Sequence, residues 1–215
     1  MRKRMSYVIA AVTALTMLVM AGPASAAGNG NPQPNGSNKL QCFDGTSDGG
    51  FYGLCSIANG VATLDNVSND ATGTSNPYDQ YSGVYITGSN LGGKMLSQVG
   101  NISFSYTGTP TNGSPRLSLP LDTNGDGATD VYAFVSAMFC NNGSGFVDVV
   151  NNPNCTIFVT GGPVSGYANW SAFAAAYPSA KVGPDGALPF IIADDPGSWT
   201  VSNVHLGKAA RTTGK

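Results

Sequence analysis

The chain has 215 residues with 10 basic and 12 acidic side chains, and every acidic one is Asp. Its formal charge of −2 becomes −5 once Arg2, Lys3 and Arg4 leave with the leader described below, which argues against nucleic acid or an anionic membrane as partner. Without Glu, a helix former, and with abundant Asp, Asn and Gly, which make turns, the composition favours strands and loops.

Met1-Arg2-Lys3-Arg4, an apolar run from Tyr7 to Met20 and the small residues Ala24-Ser25-Ala26 form a charged start, a greasy middle and a cleavage site, the pattern of a secretory signal peptide over residues 1–26. The apolar run is short for a membrane span and no comparable run follows, so the expectation is a secreted, extracellular protein with no membrane partner. Residues 27–41, dominated by Gly, Asn, Pro, Gln and Ser, read as a flexible leader. One domain is expected over 42–208, with a tail at 209–215.

Order should begin near Cys42. Four cysteines, Cys42, Cys55, Cys140 and Cys155, in an exported chain point to two disulfides. Three pairings are possible; Cys42 with Cys55 and Cys140 with Cys155 is favoured, because each pair brackets a Gly/Asn-rich segment able to return on itself. Zinc is the competing reading, and neither a Cys-x-x-Cys pair nor a His cluster supports it. Short runs rich in Val, Ile, Phe, Tyr and Thr then recur between Gly, Asn and Pro clusters: 61–64, 83–87, 101–106, 116–121, 131–139, 146–150, 156–160, 190–193 and 199–206. That spacing predicts an all-β, antiparallel sandwich of jelly-roll type.

Between the first two runs, Asn76-Pro77-Tyr78-Asp79-Gln80-Tyr81 interleaves two rings with amide and carboxylate groups. An aromatic face covers the C–H side of a pyranose and polar groups take its hydroxyls, so Tyr78, Asp79, Gln80 and Tyr81 are candidate carbohydrate ligands. The alternative is that Tyr81 and Tyr85 are inward-facing core residues. In the next runs Ile102, Phe104 and Tyr106 share one face, as do Leu117, Leu119 and Leu121, with Ser or Thr opposite, so one side is expected in the core and the other wet.

Asp122-Thr123-Asn124-Gly125-Asp126-Gly127-Ala128-Thr129-Asp130 places oxygen-bearing side chains at positions 1, 3, 5 and 9 of one tight connection. Calcium takes six to eight oxygens, which Asp122, Asn124, Asp126, Asp130, the Ala128 carbonyl and a water can supply. Position 12 is Ala133 rather than a bidentate Glu and the flanks read as strands, so the pattern departs from an EF-hand and resembles the calcium loops of dockerin and thrombospondin type 3 repeats. The competing reading is a polar hairpin whose Asp, Asn and Gly residues only make turns. The one predicted helix runs from Trp170 to Tyr177, capped by Asn169 and stopped by Pro178.

The remaining chemistry is sparse. His205 is the only histidine and reads as structural, no Gly-x-Ser-x-Gly motif occurs, and Asp194-Asp195 in Asp-Asp-Pro-Gly read as a turn with side chains on opposite faces. One of them, or Asp65, joining a second metal site is a lesser reading. Asn66, Asn101 and Asn142 open Asn-x-Ser/Thr triplets and are expected as surface polar residues. Trp170 and Trp199 are expected in the core.

Gly100 to Tyr106, Leu121 to Phe134, Asn169-Trp170 to Tyr177-Pro178 and Pro196 to Val204 follow an order that resembles a broad group of exported bacterial jelly-roll proteins of carbohydrate-binding-module type. The resemblance implies a fold and a location, and brings no catalytic motif. The function expected is therefore a monomeric, non-catalytic, calcium-stabilised module that binds extracellular carbohydrate. A structural matrix protein without a small ligand and an Asp-based glycan hydrolase or lyase are the alternatives.

Overall fold

The computed structural model describes residues 38–46, 54–66, 80–140 and 145–207. The expected signal peptide, leader residues 27–37, Tyr78, Asp79, Asn142 and the tail lie outside them. Twelve strands and one α-helix are described: β1 (Lys39–Thr46), β2 (Cys55–Ala58), β3 (Val61–Asn66), β4 (Gln80–Thr87), β5 (Ile102–Thr107), β6 (Arg116–Asp122), β7 (Val131–Ser136), β8 (Phe146–Asp148), β9 (Phe158–Val159), α1 (Trp170–Ala176), β10 (Lys181–Val182), β11 (Phe190–Ala193) and β12 (Gly197–Leu206).

The strands form two sheets in which every pairing is antiparallel. The larger runs β1-β4-β11-β6-β7-β9, with β10 also paired to β6, and the smaller runs β2-β3-β12-β5-β8. Their inner faces meet in one core, where Phe104, Ile102, Leu64, Val201 and Leu206 of the smaller sheet oppose Val84, Ile86, Ile191 and the three leucines of β6. Leu117, Leu119 and Leu121 have no exposed surface, and each contributes about 1.5–3 kcal/mol by leaving water. The all-β sandwich with one short helix is thus what the alternation of apolar residues builds.

Several boundaries differ from the sequence reading. Residues 39–41, assigned to the leader, belong to β1, which pairs with β4 from Lys39 opposite Thr87 to Thr46 opposite Gln80. Strands β1, β2 and β10 carry no clear alternation and were not expected; pairing with an existing edge forms them. The run 131–139 stops at Ser136 and tightens into a 3-10 turn at Ala137–Cys140. In β12 a bulge at Asn203, whose φ of 50° suits Asn better than most residues, shifts the register between Ser202 and His205. The shift keeps Val201, Val204 and Leu206 all in the core and leaves His205 on the outside.

Both disulfides take the local pairing, Cys42 with Cys55 and Cys140 with Cys155. The first joins edge strand β1 of the larger sheet to edge strand β2 of the smaller, so it fastens one side of the sandwich. Asp44 supports the same corner by accepting the Cys55 N–H at 3.1 Å. Both tryptophans are buried: Trp170 donates to Leu96 O and seats α1, while Trp199 donates to Thr109 O. Asn169 caps α1 by accepting from Ala172 N. Among the described residues no helix is long and apolar enough to cross a membrane.

Candidate functional site

Asn66 departs from the surface role expected of it. It is buried at the end of β3, donates to Ala193 O at 2.6 Å and to Asp195 O at 3.3 Å, and accepts from Ser82 Oγ at 2.7 Å. It thereby ties the smaller sheet to β4 and β11 of the larger one, beside the strand ends that carry the most unusual side chains.

Those side chains lie on the outer face of the larger sheet. Strand β4 turns Ser82, Val84 and Ile86 inward, which sends Tyr81, Gly83 and Tyr85 outward. Opposite residues of neighbouring strands share a face, so the register adds Phe43 across from Gly83, Phe190 across from Tyr85 and Ser118, Tyr132 across from Pro120, and Phe134 across from Ser118 and Phe158. The rings touch in series. Phe43 lies 6.3 Å from Tyr81, 4.5 Å from Tyr85 and 5.8 Å from Phe190, and Phe190 lies 5.8 Å from Tyr132, all centroid to centroid. From β1 to β7 this stripe crosses four strand spacings, roughly 19 Å.

Gly83 is what lets the stripe pack, because a Cβ there would collide with Phe43 Cζ and come within 2.6 Å of Ile191 O. The opposite side of β6, expected to be wet, is covered instead. Ser118 and Pro120 are buried, since β6 is a central strand and rings from both neighbours lean over it. Ser118 Oγ has no hydrogen-bond partner under that cover. Burial first, and then nearby Tyr85 and Asp44, raise the phenol of Tyr81; burial first, then Asp185 and Tyr85, raise that of Tyr132. Both hydroxyls therefore remain protonated donors at neutral pH.

Of the expected ligand residues, Tyr81 is half-exposed on this face. Gln80 is only 3 % exposed, because the alternation that sends Tyr81 out sends Gln80 in, and it is corrected to a buried residue. Tyr78 and Asp79 lie outside the described residues. Tyr85 belongs with Tyr81 on the outer face rather than in the core.

At one end of the face the sheet dips into a cleft of about 500 Å³ walled by Phe134, Phe139, Phe158, Arg116, Asp194 and Asn112, among others. Arg116 Nη2 donates to Asp194 Oδ2 at 2.7 Å, and its guanidinium lies 4.7 Å over the Phe134 ring. Burial pushes the Asp194 carboxyl above its ordinary value; the Arg116 charge opposes this and Asp195 adds to it. Asp195 is held by Thr111 Oγ1 and by Gly113 N at 2.9 Å. The expectation that the two aspartates face apart does not hold. Ser114 Oγ accepts both of their backbone N–H groups at 2.9 Å, which turns the chain after β11 so that both carboxylates converge on Gly113. A Cβ at Gly113 would collide with Asp194 Oδ1 and approach Asp195 Oδ2 to 2.9 Å.

The loop from Asp122 to Asp130 connects β6 to β7 as a hairpin, with Leu121 opposite Val131. Its side chains fold onto its own backbone. Asp122 accepts from Gly125 N and Gly127 N, Asp126 from Ala128 N, and Asp130 from Thr123 N, Thr123 Oγ1 and Asn124 N. These bonds, led by the Thr123 amide, hold the Asp130 carboxyl below its ordinary value. Asp185, arriving from the segment before β11, takes Thr129 N at 2.9 Å and Thr129 Oγ1 at 2.8 Å, an unforeseen latch. Its carboxyl is likewise held low, chiefly by the Thr129 amide.

The donor set is all oxygen and suits a hard cation in type, although Asp130 Oδ2 already accepts three hydrogen bonds, from Thr123 N, Thr123 Oγ1 and Asn124 N. Asn124 Nδ2 stands between Asp130 Oδ1 at 2.7 Å and Asp126 Oδ2 at 3.2 Å, so those two carboxylates already face one point. Among the described residues no three acidic, His or Cys side chains gather closely enough to hold a metal as they stand.

His205 lies outside the cleft, with Nδ1 shielded and unpartnered, and burial lowers its pKa. A scan of protein-family models finds no match to this chain, and searches of curated proteins and of solved structures find none either.

Proposed function

We propose that the protein is an exported, monomeric, non-catalytic binding module whose aromatic outer face holds extracellular carbohydrate. The observation that carries this reading is the unbroken contact of Tyr81, Phe43, Tyr85, Phe190 and Tyr132 on a sheet face that contributes nothing to the core. Core packing does not require rings there, and a row of flat apolar surfaces edged by protonated phenols suits a chain of pyranoses. The jelly-roll reading is supported by the chain's passage from sheet to sheet, with β3, β5, β8 and β12 in one and β4, β6, β7 and β11 in the other.

The hydrolase alternative draws on the convergence of Asp194 and Asp195. Against it, both carboxylates converge on Gly113, one paired with Arg116 and the other with Thr111 and Gly113 N, so these two do not face each other across a substrate. Tyr85→Ala should lower affinity for a bound oligosaccharide by about tenfold, with the loss of its ring contacts to Phe43 and Phe190 lowering the melting temperature by only a few degrees. Isothermal titration calorimetry checks this, and an unaltered affinity would remove the platform. Product analysis on the same oligosaccharides should find no cleavage; turnover lost on Asp194→Asn would favour the hydrolase.

Calcium belongs to the proposal as a stabiliser of the β6–β7 hairpin, held by Asp122, Asn124, Asp126, Asp130 and the Ala128 carbonyl, with the Asn124 side chain turned to present its oxygen. At ten times the dissociation constant, ligand linkage adds about 1.4 kcal/mol, or roughly 3–6 °C in Tm for a domain of this size. Scanning calorimetry should show that rise with calcium, its loss with chelator, and no calcium response in Asp126→Ala. A wild-type melting curve indifferent to both reagents would leave the loop as a self-satisfied hairpin.

A further inference from the structure

We infer that the cleft beside Arg116 and Asp194 is a terminal subsite for a neutral sugar, where the identity of the glycan is read; this rests on the carbohydrate platform proposed above. The stripe of rings carries almost no charge and has little means of telling one pyranose from another. Charged groups and rings meet in the cleft, which lies on the same face, because Ile192 pairs with Gly83 on one side and Arg116 on the other, and Ser118 lies between Phe190 and Phe134.

The Arg116–Asp194 pair is poorly completed within the fold. Asp194 Oδ1 and Arg116 Nε are shielded and lack hydrogen-bond partners, while the two side chains keep 31% and 25% of their surface open. An ion pair in that condition stabilises little, so the cleft, rather than the fold, accounts for it. The open surface of the pair excludes those two shielded atoms, and there a hydroxyl is the group that can serve both members at once, donating to the carboxylate and accepting from the guanidinium. A ligand carboxylate would meet Asp194 and Asp195, and a ligand amine would meet Arg116. The site's one guanidinium and two carboxylates hold no surplus positive charge to draw an anion. Phe134, Phe139 and Phe158 offer the apolar wall for the C–H face of the ring, Phe139 and Phe158 lying 5.3 Å apart. The volume of about 500 Å³ falls within the range of small-ligand clefts.

The test is calorimetric titration of the full mature chain with cellohexaose, xylohexaose, mannohexaose, laminarihexaose and hexagalacturonate. Wild type is compared with Tyr85→Ala, with Asp194→Asn, and with the paired Arg116→Met and Asp194→Leu change, which replaces the ion pair by apolar volume and keeps the fold. Expected is a preference for one neutral hexaose, with that preference reduced about tenfold or more by both cleft variants and a general weakening in Tyr85→Ala. If Tyr85→Ala weakens binding while both cleft variants stay within about twofold of wild type, the platform stands and the subsite is overturned. A preference for hexagalacturonate overturns the neutral-sugar assignment, and a wild type that binds none of the five overturns subsite and platform together.

Discussion

Asn66→Ala is expected to lower the free energy of unfolding by about 3–5 kcal/mol, because it strips partners from buried groups on two strands of the opposite sheet. Ser82 and Ala193 are both fully buried, so water cannot replace the bond that the Asn66 carbonyl accepts from Ser82 Oγ or the one its amide donates to Ala193 O. Each buried polar group left unpaired costs about 1–3 kcal/mol. Urea denaturation should report a lower midpoint with an unchanged slope. A matching Ser82→Ala variant should cost less, and the double variant less than the sum, since the two side chains share one bond. A loss below about 1 kcal/mol would mean that the sheets are held by apolar packing alone.

Replacing Cys140 and Cys155 together by Ala is expected to cost about 3 kcal/mol, which for a domain of this size lowers Tm by roughly 6–12 °C. The two lie 15 residues apart, and opening that loop returns its entropy to the unfolded chain. Both cysteines are also in the core, at 1% and 0% exposure, so the tether anchors the segment before β9 beneath the sheet edge. Calorimetry of wild type with a thiol reductant, which opens the Cys42–Cys55 bridge as well, should show a loss at least as large. A Tm that does not move in either comparison would show that β7–β9 pairing and the Phe139–Phe158 contact hold this edge without the bridge.

Much of the fold was legible because it depends on local periodicity. Ile102, Phe104 and Tyr106, and Leu117, Leu119 and Leu121, declare a buried face within six or seven residues, and the structure buries them. The Asp122–Asp130 connection, the Asn169 cap and the two close cysteine pairs are also short-range features, and each sits where its spacing places it. Strands β1, β2 and β10 escaped notice since a strand added at a sheet edge gains its shape from a neighbour's unpaired backbone and needs no pattern of its own.

The candidate site was far less legible. Alternation in β4 says that Tyr81 and Tyr85 oppose Val84 and Ile86, yet it cannot say which set meets the core. Asp194 and Asp195 read as a turn because nothing near them announces that Ser114 will gather both of their amides.

By itself, then, the order of residues determined two-faced strands, their turns and their covalent ties, since these follow from backbone geometry and contacts over a few residues. Only the tertiary structure decided that Phe43, Tyr85, Tyr132 and Phe190 form one surface and that Arg116 meets Asp194 at its end. The physical reason is strand order: the pairing of β1 with β4, β4 with β11, and β11 with β6 joins distant segments, and a sheet face takes its composition from every strand that crosses it.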